Sequence, residues 1–119
     1  MLCFVDASYS PPHQLGVIGY QVGMEEVIHL GSLTIHGNAL AEKLALQKCI
    51  EYCDEKYPGQ ELIIYTDHQA SLKDEYPDHV RIVFTPGHLK KASMNSLQLR
   101  FSAVDKATRK ELRRLTRFK

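Results

Sequence analysis

Residues 62–70 read "LIIYTDHQA": four apolar or aromatic residues run through Thr66 straight into the carboxylate of Asp67. A short, nearly continuous apolar run of this kind is expected of a central strand covered on both faces. Its acidic end has two readings. Asp67 can cap the turn that follows, or the strand can deliver a carboxylate to a fixed place for chemistry. The neighbouring elements decide between them.

"LCFVDASY" (2–9) is rich in strand formers, and "LGVIGYQVG" (15–23) follows a Pro-Pro-His-Gln turn as a second strand. "EEVIHLGSLTI" (25–35) reads as a third, with Gly23-Met24 as the hairpin turn, so the three form an antiparallel meander. Residues 38–57 switch to helical period, with apolar residues at 41, 44, 45, 49 and 53, Asn38 as the N-cap and Pro58-Gly59 as the stop. The strand at 61–66 then implies a parallel crossover. "VRIVFT" (80–85) is a fifth strand, and helical residues dominate from Ser93 to Phe118 along a Leu97, Phe101, Val104, Leu112, Leu115 stripe. The order β-β-β-α-β-β-α predicts an α/β fold, a mixed five-stranded sheet with helices packed on it.

At 119 residues, 44% hydrophobic and 24% charged, the chain is expected to form one domain over 1–119, with one core. No apolar run approaches the ~18 residues that span a bilayer, and "MLCFVD" lacks the basic start of a signal peptide. Cys3, Cys49 and Cys53 show no metal-site spacing and are odd in number. They read as buried free thiols, which implies a reducing, cytoplasmic setting. Charge is split. Residues 1–80 carry 4 Lys/Arg against 12 Asp/Glu, net −8, and residues 81–119 carry 11 against 2, net +9. Such a split points to a polyanionic partner or, equally, to a solvated basic helix.

Four acids lie where these elements converge: Asp6 on the first strand, Glu42 in the first turn of the first helix, Asp67, and Asp105 in the last helix. Each has a plain alternative. Asp6 can face solvent on an edge strand, Glu42 can complement the helix dipole, Asp67 can cap a turn, and Asp105 can pair with Arg109 at i+4. Together they suggest a divalent cation, because gathered carboxylates repel unless neutralised. All-oxygen donors favour Mg²⁺ or Mn²⁺ over zinc. A pair of such ions ~4 Å apart can activate water and stabilise a leaving oxygen in phosphodiester cleavage.

The ordered set "FVDASY", "NALAEKLAL", "IIYTDHQA" and "VFTPGHL" resembles the motifs of bacterial-type ribonucleases H over essentially the whole chain. The resemblance implies a ribonuclease H-like fold and a metal-dependent endonuclease that cuts the RNA strand of RNA–DNA hybrids, leaving 5′-phosphomonoesters. It implies Asp6, Glu42, Asp67 and Asp105 as catalytic metal ligands for two Mg²⁺ or Mn²⁺ ions. His88 corresponds to the loop histidine that assists product departure, a task suited to a group titrating near neutrality. Ser8, Asn38 and Gln69 fall at substrate contacts, the last two in the minor groove where the 2′-hydroxyl distinguishes RNA from DNA.

The chain also departs from the family pattern. Ala7 replaces the usual Gly beside the first acid, and His68 replaces a Ser beside Asp67. "FSAVD" replaces the usual approach to the last acid. Only 20 residues separate Asp67 from His88, where many members place further helices and a basic handle. The basic C-terminal third, including Lys90, Lys91, Arg100, Arg109, Arg113 and Arg114, is expected to supply the missing phosphate contacts. Two alternatives stay open: a same-fold nuclease for duplex RNA or DNA junctions, and a nucleic-acid-binding module without catalysis.

Overall fold

The computed structural model describes residues 1–86 and 95–117. Within them β1 (Leu2–Ser10), β2 (Leu15–Val22), β3 (His29–Thr34), β4 (Leu62–Thr66) and β5 (Val80–Phe84) form one sheet in the order β3-β2-β1-β4-β5. The first three strands pair antiparallel, whereas β1–β4 and β4–β5 are parallel. Helix α1 (Asn38–Lys56) makes the crossover between β3 and β4, and α2 (Ser96–Thr116) follows β5. Among the described residues no helix is long and apolar enough to cross a membrane.

The sheet is covered on both faces because β1 alternates between two apolar sets. Cys3, Val5 and Ala7 point into the larger core with Ala41, Ala45, Leu46, Cys49 and Cys53 of α1. Phe4 points the other way, against Phe101 and Val104 of α2, and Ser8 reaches Thr108 on the same helix. Asp6 shares that parity, so its carboxylate lies on the α2 face of a central strand. The edge-strand alternative for Asp6 is therefore removed.

Three local expectations change. Residues 25–28 precede β3 rather than belong to it. Gly23 turns with φ 55°, and the Glu25 carboxylate then accepts hydrogen bonds from Tyr52, Tyr57 and Lys56 and contacts His29. This ties the turn to the end of α1 instead of extending the strand. Burial would raise the Glu25 pKa, but these partners outweigh it and hold the carboxyl at about 2. The N-cap of α1 is Gly37, at φ 124°, and not Asn38, which leaves the Asn38 side chain exposed and without a capping role. Helix α2 begins at Ser96, capped by Asn95, whose side chain accepts from the Gln98 amide in a reciprocal capping box. The cysteines are buried and free as expected, and the fold brings Cys3 to Cys49 and Cys53 of α1: the three sulfurs lie within 4.8 Å of one another, with Cys3 Sγ 3.8 Å from Cys53 Sγ.

Helix α2 approaches the sheet closely where β2 offers no side chain. A Cβ on Gly19 would lie 2.6 Å from Thr108 Cγ2 and 3.1 Å from Leu30 Cδ2. Thr108 is fully buried and has no room to yield. Gly19→Ala is expected to destabilise the protein by about 1–3 kcal/mol, the usual cost of forcing extra volume into a packed interface. Gly31→Ala, whose new methyl would meet Ile18 at an ordinary 3.6 Å, is expected to stay within about 0.5 kcal/mol. Urea unfolding of the two variants checks the contrast.

Candidate active site

The register of the two parallel strands builds the site. Leu2 pairs with Ile63, Cys3 with Ile64 and Phe4 with Tyr65. The same offset carried two residues further brings Asp6 level with Asp67, just past the end of β4. Across the antiparallel pair, Asp6 sits opposite Gly19, where α2 packs tightly. Glu42 comes from the first turns of α1, beside Ala41, which is buried against the sheet.

One carboxylate oxygen from each of Asp6, Glu42 and Asp67 lies within 4.8 Å of the other two. Asp6 and Glu42 are only 2% and 4% exposed, and Asp6 Oδ2 and Glu42 Oε2 are buried with no hydrogen-bond partner among the described residues. Burial pushes the Asp6 carboxyl up to about 10, aided by its contact with Asp105 and by the charges of Glu42 and Asp67. Burial likewise raises Glu42 to about 8, with the Asp67 charge adding to it and a backbone hydrogen bond from Ala7 opposing it. Two orphaned buried oxygens beside a third carboxylate are costly in a protein alone. An all-carboxylate donor set of this kind fits a hard divalent cation.

These acids line a cleft of about 530 Å³, shared with Ser8, Asn38, His68, Asp105, Arg109 and Arg113. Asp105 is on the cleft wall but outside the three-acid group, and its Oδ2 is 2.7 Å from Arg109 Nη2. Asp105 thus lines the same cleft as the three acids while it pairs with Arg109 at i+4. Ser8 contacts Thr108 Oγ1 at 2.9 Å, and Thr108 in turn donates to the Asp105 carbonyl. Its hydroxyl therefore braces the backbone that carries Asp105. Asn38 stands exposed on the cleft, whereas Gln69 is exposed in the short 3-10 helix Gln69–Lys73 and does not line it. His88, Lys90 and Lys91 lie outside the described residues.

Sequence reading singled out His68, Arg109 and Arg113, but not how the fold holds them at the cleft. His68 is oriented: its Nδ1 lies 2.6 Å from Ser71 Oγ, and its backbone N–H donates to Thr66 Oγ1. The Thr-Asp-His-x-x-Ser spacing held that signal. Arg109 and Arg113 enter the cleft from positions i+4 and i+8 of Asp105, a periodicity visible once α2 is given a helical register. Arg100, by contrast, is structural. It donates to the Gly23 carbonyl and covers the Phe4 ring at 4.4 Å.

No protein-family model and no curated protein sequence matches this chain. Solved structures do. The prototype foamy virus protease-reverse transcriptase superposes with a TM-score of 0.64 at 16% identity, over 92% of this chain and 20% of that one. LC11-RNase H1, solved in complex with an RNA/DNA hybrid, superposes with a TM-score of 0.58 at 15% identity, over 89% of this chain and 97% of that one. The chain thus spans about a fifth of the viral protein. With the mixed sheet and its two flanking helices, these likenesses establish a ribonuclease H-like fold.

Because both raised carboxyls favour the protonated form, their contribution to stability is complete below about pH 4. It is lost as pH rises through about 8 for Glu42 and about 10 for Asp6. In chelator, the thermal midpoint of the wild type is expected to fall more steeply between about pH 5 and 9 than that of Asp6→Asn. Near pH 8 the variant should melt higher by ~5 °C, as a gain of about 1 kcal/mol gives in a domain of this size. Millimolar Mg²⁺ should raise the wild type and leave the variant in place. Scanning calorimetry at several pH values with and without Mg²⁺ reads all three effects.

Proposed function

We propose that the protein is a metal-dependent endonuclease that hydrolyses the RNA strand of RNA–DNA hybrids. The observation that carries this reading is the pair of buried, unpartnered oxygens of Asp6 and Glu42 beside Asp67, at the mouth of a cleft in a ribonuclease H-like fold. That LC11-RNase H1 is bound to an RNA/DNA hybrid supports the choice of substrate.

Asp6, Glu42 and Asp67 would hold Mg²⁺ or Mn²⁺, with Asp105 as the fourth ligand contributed from α2. Two bound cations would supply an activated water and charge stabilisation at the leaving oxygen of the cut phosphodiester. The chain's own part is positional. Strands β1 and β4 hold Asp6 and Asp67 on a rigid support, and buried Ala41 seats the helical turn that presents Glu42. Asn38, exposed on the cleft and free of capping duty, would contact the minor groove and its 2′-hydroxyls. Ser8 acts through Thr108 on Asp105, and Gln69 stays a more distant substrate contact. His88 is assigned the release of product, by proton delivery or by displacement of a ligand. Arg109 meets the cleft as the natural partner of the phosphate being cut, once Asp105 turns to the cation.

A labelled RNA–DNA hybrid incubated with Mg²⁺ or Mn²⁺ should be cut to 5′-phosphate ends, and chelator should stop the reaction. Asp67→Asn is expected to lower the cleavage rate by more than about 100-fold, beyond the 10–100-fold range of a lost supporting contact. Equal cutting of duplex RNA or junction DNA would shift the substrate assignment. Unchanged cutting by Asp67→Asn would remove the site assignment altogether.

A further inference from the structure

Beyond the cleft, the exposed side of α2 carries a second concave surface. Lys106, Arg109, Lys110, Arg113 and Arg117 line a groove of about 580 Å³ with no acid among them. Their spacing of three and four residues stacks them on one face of the helix. All five are exposed. Four make no ion pair with any described residue, and Arg109 is held by Asp105.

The other cations near this region are already engaged. Arg114 pairs with Glu111, and Arg100 is committed to Gly23 and Phe4. The basic C-terminal third is thus sorted by the fold: Lys106, Lys110 and Arg117 take the place that sequence reading gave to Arg100 and Arg114.

A solvated helix face does not need this arrangement. Cations in the last turn complement the helix dipole, which accounts for Arg113 and Arg117 but not for Lys106, Arg109 or Lys110 in the middle of α2. Like charges at i and i+4 (Lys106–Lys110, Arg109–Arg113 and Arg113–Arg117) weaken a helix. A polyanion laid along the groove would relieve that repulsion. The groove also joins the cleft, because Arg109 and Arg113 line both. One end of a phosphate chain can therefore lie at the acids while the rest follows α2.

We propose that this groove is a second nucleic-acid contact that grips the phosphate backbone of the duplex to one side of the cleavage site. The choice of a nucleic-acid duplex as the polyanion rests on the proposed function. At about 1.5 Å per residue, the twelve steps from Asp105 to Arg117 span ~18 Å. That is about five phosphates of one strand at ~3.4 Å each. The groove takes over the grip that a basic handle supplies in larger relatives of the fold: between Thr66 and Val80 this chain has only the 3-10 helix Gln69–Lys73.

The test uses Lys106→Gln, Lys110→Gln and Arg117→Gln combined, which leaves both cleft-lining arginines in place. Binding of a fluorescent hybrid of about 20 base pairs is measured in chelator across a range of salt concentrations. The expected result is a salt slope shallower by about 2–3, since each lost phosphate contact removes about 0.9. With Mg²⁺, KM should rise at least tenfold while kcat stays within about twofold, as expected for lost uniform binding. A hybrid trimmed to about three base pairs on the groove side should reproduce this loss in the wild type and add nothing in the variant. An unchanged thermal midpoint, or a higher one, shows that the variant is folded. If the wild type cuts the hybrid and the variant's slope and KM are unaltered, the groove assignment is overturned and the nuclease reading stands. If the wild type cuts nothing but the variant's slope still falls, the groove stands and the nuclease reading fails.

Discussion

Two buried carboxylates, each with one oxygen that finds no partner among the described residues, are the constraint around which this molecule is arranged. Asp6 and Glu42 each keep an oxygen out of water and out of any protein hydrogen bond, with Asp67 close enough to repel both. In a medium of low dielectric such a group opposes folding unless it is protonated or neutralised. The fold holds it in place by making its supports central. Asp6 is on the middle strand of the sheet, Asp67 ends the neighbouring strand, and Glu42 lies next to fully buried Ala41. Asp6 and Glu42 are enclosed by the core, so the charge on their buried oxygens is left to be met from outside. A hard cation meets it directly, and protonation meets it at the expense of any chemistry the carboxylates would do.

The fourth acid is placed by different means. Asp105 depends on how closely α2 lies against the sheet, and that closeness depends on Gly19 having no side chain opposite Asp6. The Ser8–Thr108 contact and the Thr108 bond to the Asp105 carbonyl fix the helix along its axis at the same point. Three acids are thus set by strand register and the first helix, while the last is set by helix docking. The Arg109 ion pair follows from that difference. A side chain on an outer helix can exchange partners, which one on a central strand cannot.

Much of this could be read from the chain. Strand and helix order followed from apolar periodicity, and the acids stood out because Asp6 and Asp67 interrupt or end apolar runs. What escaped the sequence was set by tertiary contact. Residues 25–28 have strand-like composition, yet Glu25 is drawn to two tyrosines and a lysine at the end of α1, an attraction between residues some thirty positions apart. Asn38 looked like a cap because Asn commonly is one, but Gly37 takes the φ of 124° that the turn requires. The cysteine cluster was hidden by the distance of Cys3 from Cys49 and Cys53 in sequence, and is made by the packing of α1 on β1. Ser8 was marked by its place in a motif. Its role depends on Thr108, one hundred residues away.

The charge split along the sequence acquires a geometric meaning on α2. The acidic part of the chain contributes Asp6, Glu42 and Asp67 to one end of the cleft, and the basic part lays its free cations along the helix beyond it. Among the described residues that line the cleft, the two signs meet in the pair of Asp105 with Arg109, both on α2. An acid cluster alone would repel a polyanion, and a cationic helix alone would hold one without placing any bond over the acids. Joined through residues that line both surfaces, they set opposite demands on one ligand: cations drawn in at the acids, and phosphates drawn along the helix. In the proposed reading a duplex whose backbone passes from groove to cleft would satisfy both, and Arg109 at the junction would serve Asp105 when the cleft is empty and a phosphate when it is filled.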